Sequence, residues 1–383
     1  ETGYRAAGPM GRPEYAQSHQ APSAPARKPE LKGRSPDGLA AVADVVRGTG
    51  HGYATPMQPG TWRTLGRPLA ETCLPYARQA NFTSGQDTCV RGMHAWQTMA
   101  WDRERYLYAR GGGHNSYEGN EIYRFDLATG AWTRMNDSAK AVPTPGGDHN
   151  DFEPLYDDGS PASAHHYGHL IWAGGKLISG PHNGFGAPSG YVPYIWEWST
   201  DDGYEKTVDV NDLSRRFDRI SICSDYDPET GDVLLSSAGL RRYDPDTNNV
   251  TWLGNFVNDD LSPSDCLYDP GTGMWYDWKN GSLHTGKVRG DRLTDVRKYR
   301  NWGAGDKISD QAGMALGPDG KIWLWDDHRS VYVWDQSKLP DKDIVEIPNE
   351  TSPEDPSGCG HNDCSQIRNA SVGNFGKWWF VEA

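Results

Sequence analysis

The chain has 383 residues, with 16 Trp, 19 Tyr, 45 Gly and 26 Pro, enough to bury one large core threaded by many tight turns. A formal charge of −14 excludes the overall basic character that a nucleic-acid backbone demands, and no apolar run reaches the length of a membrane span. A local cationic pocket can still sit on an acidic protein, so an anionic polysaccharide stays compatible with the composition.

Residues 4–36 are rich in Pro, Ala, Ser and Arg without periodicity, and Asp37–Val46 reads as a short helix. This predicts an irregular arm over 1–43 followed by a single domain over 44–383. The informative stretch is Met93–Met135. Trp96–Trp101 and Arg105–Ala109 are aromatic and β-favouring, with Asp102–Glu104 as a turn between them. Gly111–Gly113 open a loop, and Glu121–Phe125 and Trp132–Met135 supply two more strands around the turn Asp126–Gly130. Four antiparallel strands in so short a span make one propeller blade, and a lone blade cannot bury both faces.

The unit does recur. Its turn returns at Tyr226–Gly231 (YDPETG), Tyr243–Thr247 (YDPDT) and Tyr268–Gly273 (YDPGTG). Tyr123 is followed nine residues later by Trp132, and Tyr243 nine residues later by Trp252. This pattern of glycines, Tyr and Trp resembles a kelch repeat and implies an all-β, kelch-type β-propeller. Aligning first strands matches Trp101 with Trp172, Tyr226, Tyr268, Leu316 and Val372, which is six blade starts. The last stops after two strands at Ala383, so a closing strand from the N-terminal side, Gly60–Leu65, is expected to complete the ring. Six blades are preferred, and seven follow if residues 44–90 hold further strands.

The six cysteines form three natural pairs: Cys73–Cys89, Cys223–Cys266 and Cys359–Cys364. Three disulfides would fit a secreted or periplasmic protein.

In a propeller, the loops before first strands and after second strands emerge together around the axis. The register then carries His94, His114, His165, His166 and His182 to one quadrant of one face, with Arg219 at the matching position of the third blade. His149 lies on the loop joining the first two blades. Histidine titrates near neutrality and serves as base, acid or metal ligand.

The pair His94 and His114, ending in GGGHNSY, resembles the histidine pair of propeller polysaccharide lyases of the ulvan lyase type. The resemblance implies β-elimination beside a uronate. That reaction needs a base for the C5 proton, an acid for the leaving oxygen and a cation over the carboxylate. It assigns His94 and His114 to the base and carboxylate contacts, Tyr167 to the acid and Arg219 to the neutralising cation. His165, His166, His182, Asn183, His149, Asn115 and Tyr117 would line the substrate. Sixteen residues beyond Tyr167 stands Asn183, where the family has its arginine, and the family is usually seven-bladed.

Two other readings compete. His94, His114, His165 and His182 could hold zinc or copper, as on the axis of kelch-type copper-radical oxidases, although the expected pairing uses all six cysteines and would leave none for the crosslink those enzymes need. The lyase chemistry requires no cofactor, while a structural zinc or calcium ion is compatible with it. Alternatively the propeller is a non-catalytic glycan-binding or host-contact platform, since fold licenses no activity. The partner expected is an acidic polysaccharide or glycan, bound by a monomer.

Overall fold

A computed structural model describes Thr72 and residues 98–110, 120–137, 156, 158–161, 164–166, 168–184, 191–192, 194–209, 223–237, 239–256, 264–279, 282–299, 312–317, 319–325, 331–339 and 344–347. The strands within them form five four-stranded antiparallel sheets. Blade I holds β1 (Met99–Trp101), β2 (Tyr106–Arg110), β3 (Ile122–Asp126) and β4 (Ala131–Arg134). A two-residue strand, β5 (Ala164–His165), precedes blade II, which begins with β6 (Leu170–Ala173) and β7 (Lys176–Ser179). The chain then leaves blade II for β8 (His182–Gly184) and β9 (Tyr191–Val192), and returns with β10 (Tyr194–Ser199) and β11 (Gly203–Asp209). Strands β5, β8 and β9 make a small accessory sheet.

Blade III is β12 (Cys223–Tyr226), β13 (Val233–Ser236), β14 (Gly239–Asp244) and β15 (Asn249–Asn255). Blade IV is β16 (Ser264–Asp269), β17 (Met274–Lys279), β18 (Ser282–Arg289) and β19 (Arg292–Tyr299). Blade V is β20 (Gly313–Leu316), β21 (Ile322–Trp325), β22 (Val331–Trp334) and β23 (Ile344–Ile347), with a 3-10 turn at Gln336–Lys338.

The recurrent turn owes its shape to aspartate and glycine. Asp227, Asp244 and Asp269 each accept a hydrogen bond from the backbone N–H two residues on, closing an Asx turn. Asp244 and Asp269 also accept from the hydroxyls of Thr247 and Thr272. Gly273 then takes φ 71°, where a Cβ would sit 3.2 Å from the Val288 carbonyl. Gly239 meets a different constraint: any Cβ there would lie 2.4 Å from both the Gly254 carbonyl and the Trp252 ring.

The apolar faces pack blade on blade. One cluster (Ala100, Tyr108, Leu170, Leu177, Trp198) joins blades I and II, with Tyr108 and Trp172 stacked at 4.4 Å. A second (Ile171, Ile195, Val233, Tyr243) joins II and III, and a third (Cys223, Leu234, Cys266, Trp275) joins III and IV. The fourth (Tyr276, Trp278, Met314, Leu324, Trp334) joins IV and V. Burying each of the three largest indoles, Trp275, Trp278 and Trp334, is worth roughly 4–6 kcal/mol by area.

Innermost strands are stitched to their neighbours. Ser224 N–H donates to the Gly168 carbonyl at 2.8 Å. Asp225 accepts from Tyr268 N–H at 2.7 Å, and Asp265 accepts from Met314 N–H at 2.6 Å. Cys223 and Cys266 form a disulfide across blades III and IV, as the register of first strands predicts. The pairs Cys73–Cys89 and Cys359–Cys364 lie outside the described residues.

Trp101, Trp172, Tyr226, Tyr268 and Leu316 all fall in or at the ends of innermost strands. The blade count differs from expectation: the described residues form five blades, not six or seven. Contacts run β1 to β6, β6 to β12, β12 to β16 and β16 to β20, and no comparable contact joins β20 to β1 among the described residues. The expected sixth start at Val372, the closing strand Gly60–Leu65 and the arm 1–43 lie outside them. No helix among the described residues is long and apolar enough to cross a membrane.

Candidate functional site at the junction of blades I and II

β2 runs from half-buried Tyr106 and Leu107 into buried Tyr108 and Ala109 and ends on a fully buried cation, Arg110, immediately before Gly111–Gly113. Its guanidinium is held on three sides. Nε donates to Tyr204 Oη at 3.1 Å, Nη2 donates to the Pro161 carbonyl at 2.8 Å, and Nη1 lies 3.1 Å from His166 Nε2. A guanidinium only donates, so His166 Nε2 must be the acceptor. The imidazole proton therefore sits on Nδ1, 3.3 Å from Ser179 Oγ at the end of β7. His166 is thus fixed as a neutral Nδ1–H tautomer, fully buried, with its ring 5.3 Å from that of His169.

The rest of the cluster fastens the surrounding loops. Tyr204 on β11 donates to the Asn120 carbonyl at 2.7 Å, and Asn120 Nδ2 donates to Ser160 Oγ and the Pro161 carbonyl. Burial pushes the Tyr204 phenol up to about 12, against the opposing pull of Arg110's charge and hydrogen bond, so it stays protonated at physiological pH. Glu121 is also fully buried here. These contacts bring the end of β2, the start of β3, the approach to β6 and the end of β7 to one face, around one buried cation.

The chain next to His166 enters the accessory sheet. His165 on β5 pairs in register with Asn183 on β8, and the neighbouring His182 pairs with Val192 on β9. The expectation of simple loops here differs from the structure, because β8 and β9 pair with each other between β7 and β10 of blade II. His166, expected to line substrate, is instead committed to Arg110 and Ser179. His94, His114, Asn115, Tyr117, His149, Tyr167 and Arg219 lie outside the described residues.

A second feature is a cavity of about 190 Å³, lined by residues of all five innermost strands. Its polar residues hold the ring together. Burial pushes the Asp225 carboxyl up, opposed by hydrogen bonds from the Tyr268 and Tyr226 N–H groups. At the far end Arg103, with φ 65°, donates to the Trp172 carbonyl at 2.7 Å and lies 4.0 Å over the Tyr226 ring. Among the described residues, no group of three or more His, Cys, Asp or Glu side chains is placed to hold a metal ion.

Arg110 and Tyr204 are absent from the sequence expectations. A signal for Arg110 was there: a charged residue ending the strand YLYAR just before a glycine run. Tyr204 carries none, because only the blade II hairpin brings it to Arg110.

No protein-family model matches the chain, and no curated protein matches it. Among solved structures it is similar to an auxiliary nutrient binding protein from Bacteroides thetaiotaomicron, at 12% identity and TM-score 0.43, over 67% of this chain and 57% of that one. It is also similar to a fungal alcohol oxidase in complex with copper, at 16% identity and TM-score 0.42, over 67% and 54%. YjhT matches at 10% identity and TM-score 0.43, over 64% and 82%. The chain thus spans little more than half of the first two.

Proposed function

We propose that the protein is a secreted, carbohydrate-active propeller that cleaves a uronic-acid polysaccharide by β-elimination at the mouth between blades I and II. The observation carrying this reading is the Arg110–His166 hydrogen bond. It ties the strand leading into the His114 loop to the segment bearing His165 and Tyr167, so both would move as one rigid body. Elimination calls for that rigidity, because base, acid and cation must hold fixed positions about one sugar ring. In this reading His94 and His114 share the proton abstraction and carboxylate contacts, Tyr167 protonates the leaving oxygen and Arg219 neutralises the carboxylate. His165, His182, Asn183, His149, Asn115 and Tyr117 contact neighbouring sugars, with His166 as a positioning residue beneath them. The kelch character of the repeats belongs to the same reading, and the Cys223–Cys266 disulfide supports an oxidising compartment.

The test is a panel of ulvan, alginate, pectin and heparinoid substrates, followed by ultraviolet absorbance of the unsaturated uronate product. Turnover that His114→Ala abolishes, at an unchanged melting temperature, supports the reading. Glycan retention with no product from any substrate replaces it with the glycan-binding platform, which is favoured by how completely Arg110, His166 and Tyr204 are engaged as scaffold. Copper or zinc retained through dialysis, found by elemental analysis, would instead revive the metal site.

A further inference from the structure

Blade IV carries its charge unlike the rest of this acidic chain. Cross-strand partners share a face of a sheet. Arg289 pairs with Arg292, Lys287 with Thr294, and Thr285 with Arg297. Residues 285, 287 and 289 alternate onto one side of β18, so Lys287, Arg289, Arg292 and Arg297 stand together on one face. That side is fixed by Leu283, which belongs to the apolar cluster shared with blade V, whereas Val288 and Leu293 pack toward blade III. The register shift between Thr285 and Lys287 keeps Arg297 on the cationic side. Successive rows lie about 6.6 Å apart, so the four charges extend over about 13 Å of the outer edge.

Among the described residues, one loose ion pair is made by these four cations. Arg289, Arg292 and Arg297 are exposed and Lys287 is half-buried. Arg289 lies 3.7 Å from Asp295, a loose pair with both side chains more than half exposed. Among the described residues no acid lies within ion-pair distance of Lys287, Arg292 or Arg297. The nearby Asp291 is drawn away to Arg242 of blade III at 2.8 Å. Isolated lysines or arginines on an edge strand guard against strand pairing. Four on one face, in a chain of 38 cations and 52 anions, go beyond that need.

We infer that this face of β18 and β19 is a binding track for an anionic polysaccharide, separate from the mouth between blades I and II. The choice of a polysaccharide rests on the proposed function and on charge density. Duplex nucleic acid carries one charge per about 1.7 Å and needs a broad basic surface, whereas this track is a single narrow ladder flanked by Asp291 and Asp295. A uronate polymer spaces its charges more widely and can lie along the ladder. Such a track would hold the polymer while another part of it occupies the mouth.

The experiment uses the full chain against immobilised polygalacturonate and heparin, with dextran, duplex DNA and phosphatidylserine vesicles as comparisons, at low and raised salt. Wild type is expected to be retained on the uronate polymers and released by salt. Arg292→Glu/Arg297→Glu should weaken retention about tenfold or more and flatten its salt dependence, with the circular dichroism spectrum unchanged. Should that variant misfold, Arg292→Gln/Arg297→Gln should give a smaller loss in the same direction. No wild-type retention, unchanged retention in a folded variant, or binding to DNA or vesicles as tight as to the uronate polymers overturns the proposal. Wild-type retention without any cleavage product would count against the lyase alone.

Discussion

Among the described residues, replacing Arg110 with Met removes three hydrogen bonds from a fully buried guanidinium. Charge-assisted bonds at about 1.5–3 kcal/mol each would sum to roughly 5–9 kcal/mol. The partners say otherwise. The Pro161 carbonyl still accepts from Asn120 Nδ2 at 3.0 Å, and the Tyr204 hydroxyl still donates to the Asn120 carbonyl. Of the three acceptors, His166 Nε2 bears the loss, at about 1–3 kcal/mol for a buried unsatisfied nitrogen. Removing a buried charge returns part of its desolvation cost. The expected net destabilisation is about 2 kcal/mol, read as a lower urea midpoint at unchanged slope. Arg110→Met in a His166→Leu background should cost about 1–2 kcal/mol less than in wild type. Additive effects, or a loss near 6 kcal/mol for the single variant, would refute the assignment of His166 as the acceptor. Nitrogen NMR supplies an independent check, since the wild-type imidazole should report a proton on Nδ1.

Two further outcomes follow from the blade interfaces. Cys223→Ala/Cys266→Ala opens a loop of 43 residues, for which chain-entropy loss gives about 4 kcal/mol, measurable by denaturant unfolding; a loss under about 1 kcal/mol would contradict that account. Burial pushes Tyr204 and Tyr268 up to about 12, with Asp227 and Glu229 adding to the effect at Tyr268. Because these folded-state values exceed the unfolded value of about 10, the difference is intact below pH ~10 and is lost as pH climbs through 12. Spectroscopic titration should therefore resolve exposed phenols near 10 and a later group that ionises together with unfolding; one wave at 10 with the fold intact would exclude the buried assignment.

The fold was legible because its signals are local and repeated. The turns YDPETG, YDPDT and YDPGTG encode their own hydrogen bonds through aspartate, and Trp101 and Trp172 mark innermost strands without any tertiary information. The Cys223–Cys266 pairing followed from that register alone. The site was less legible, because its contacts join distant segments. Tyr204 reaches Arg110 from 94 residues away, across a blade whose third strand is delayed by an inserted hairpin. His166 looks like its neighbour His165 in sequence, and only its contacts with Arg110 and Ser179 show that it is buried. Arg292 and Arg297 stand five positions apart in RLTDVRKY, which in a regular strand would put them on opposite faces, and the register shift is what brings them onto one.

The junctions around the ring are not equally fastened. Blades III and IV share a covalent bridge, the Asp225 carboxylate and a hydrogen bond from Ser236 to Asp277, whereas blades I and II are joined without a covalent link, through the hydrogen bonds of Arg103, Arg110 and Tyr204 and a stacked pair of rings. Amide protons along β12 and β16 should accordingly be the slowest to exchange. A seam closed covalently keeps its alignment when the hydrogen bonds beside it open for a moment, whereas a seam made of hydrogen bonds and stacked rings closes again only by finding its partners afresh.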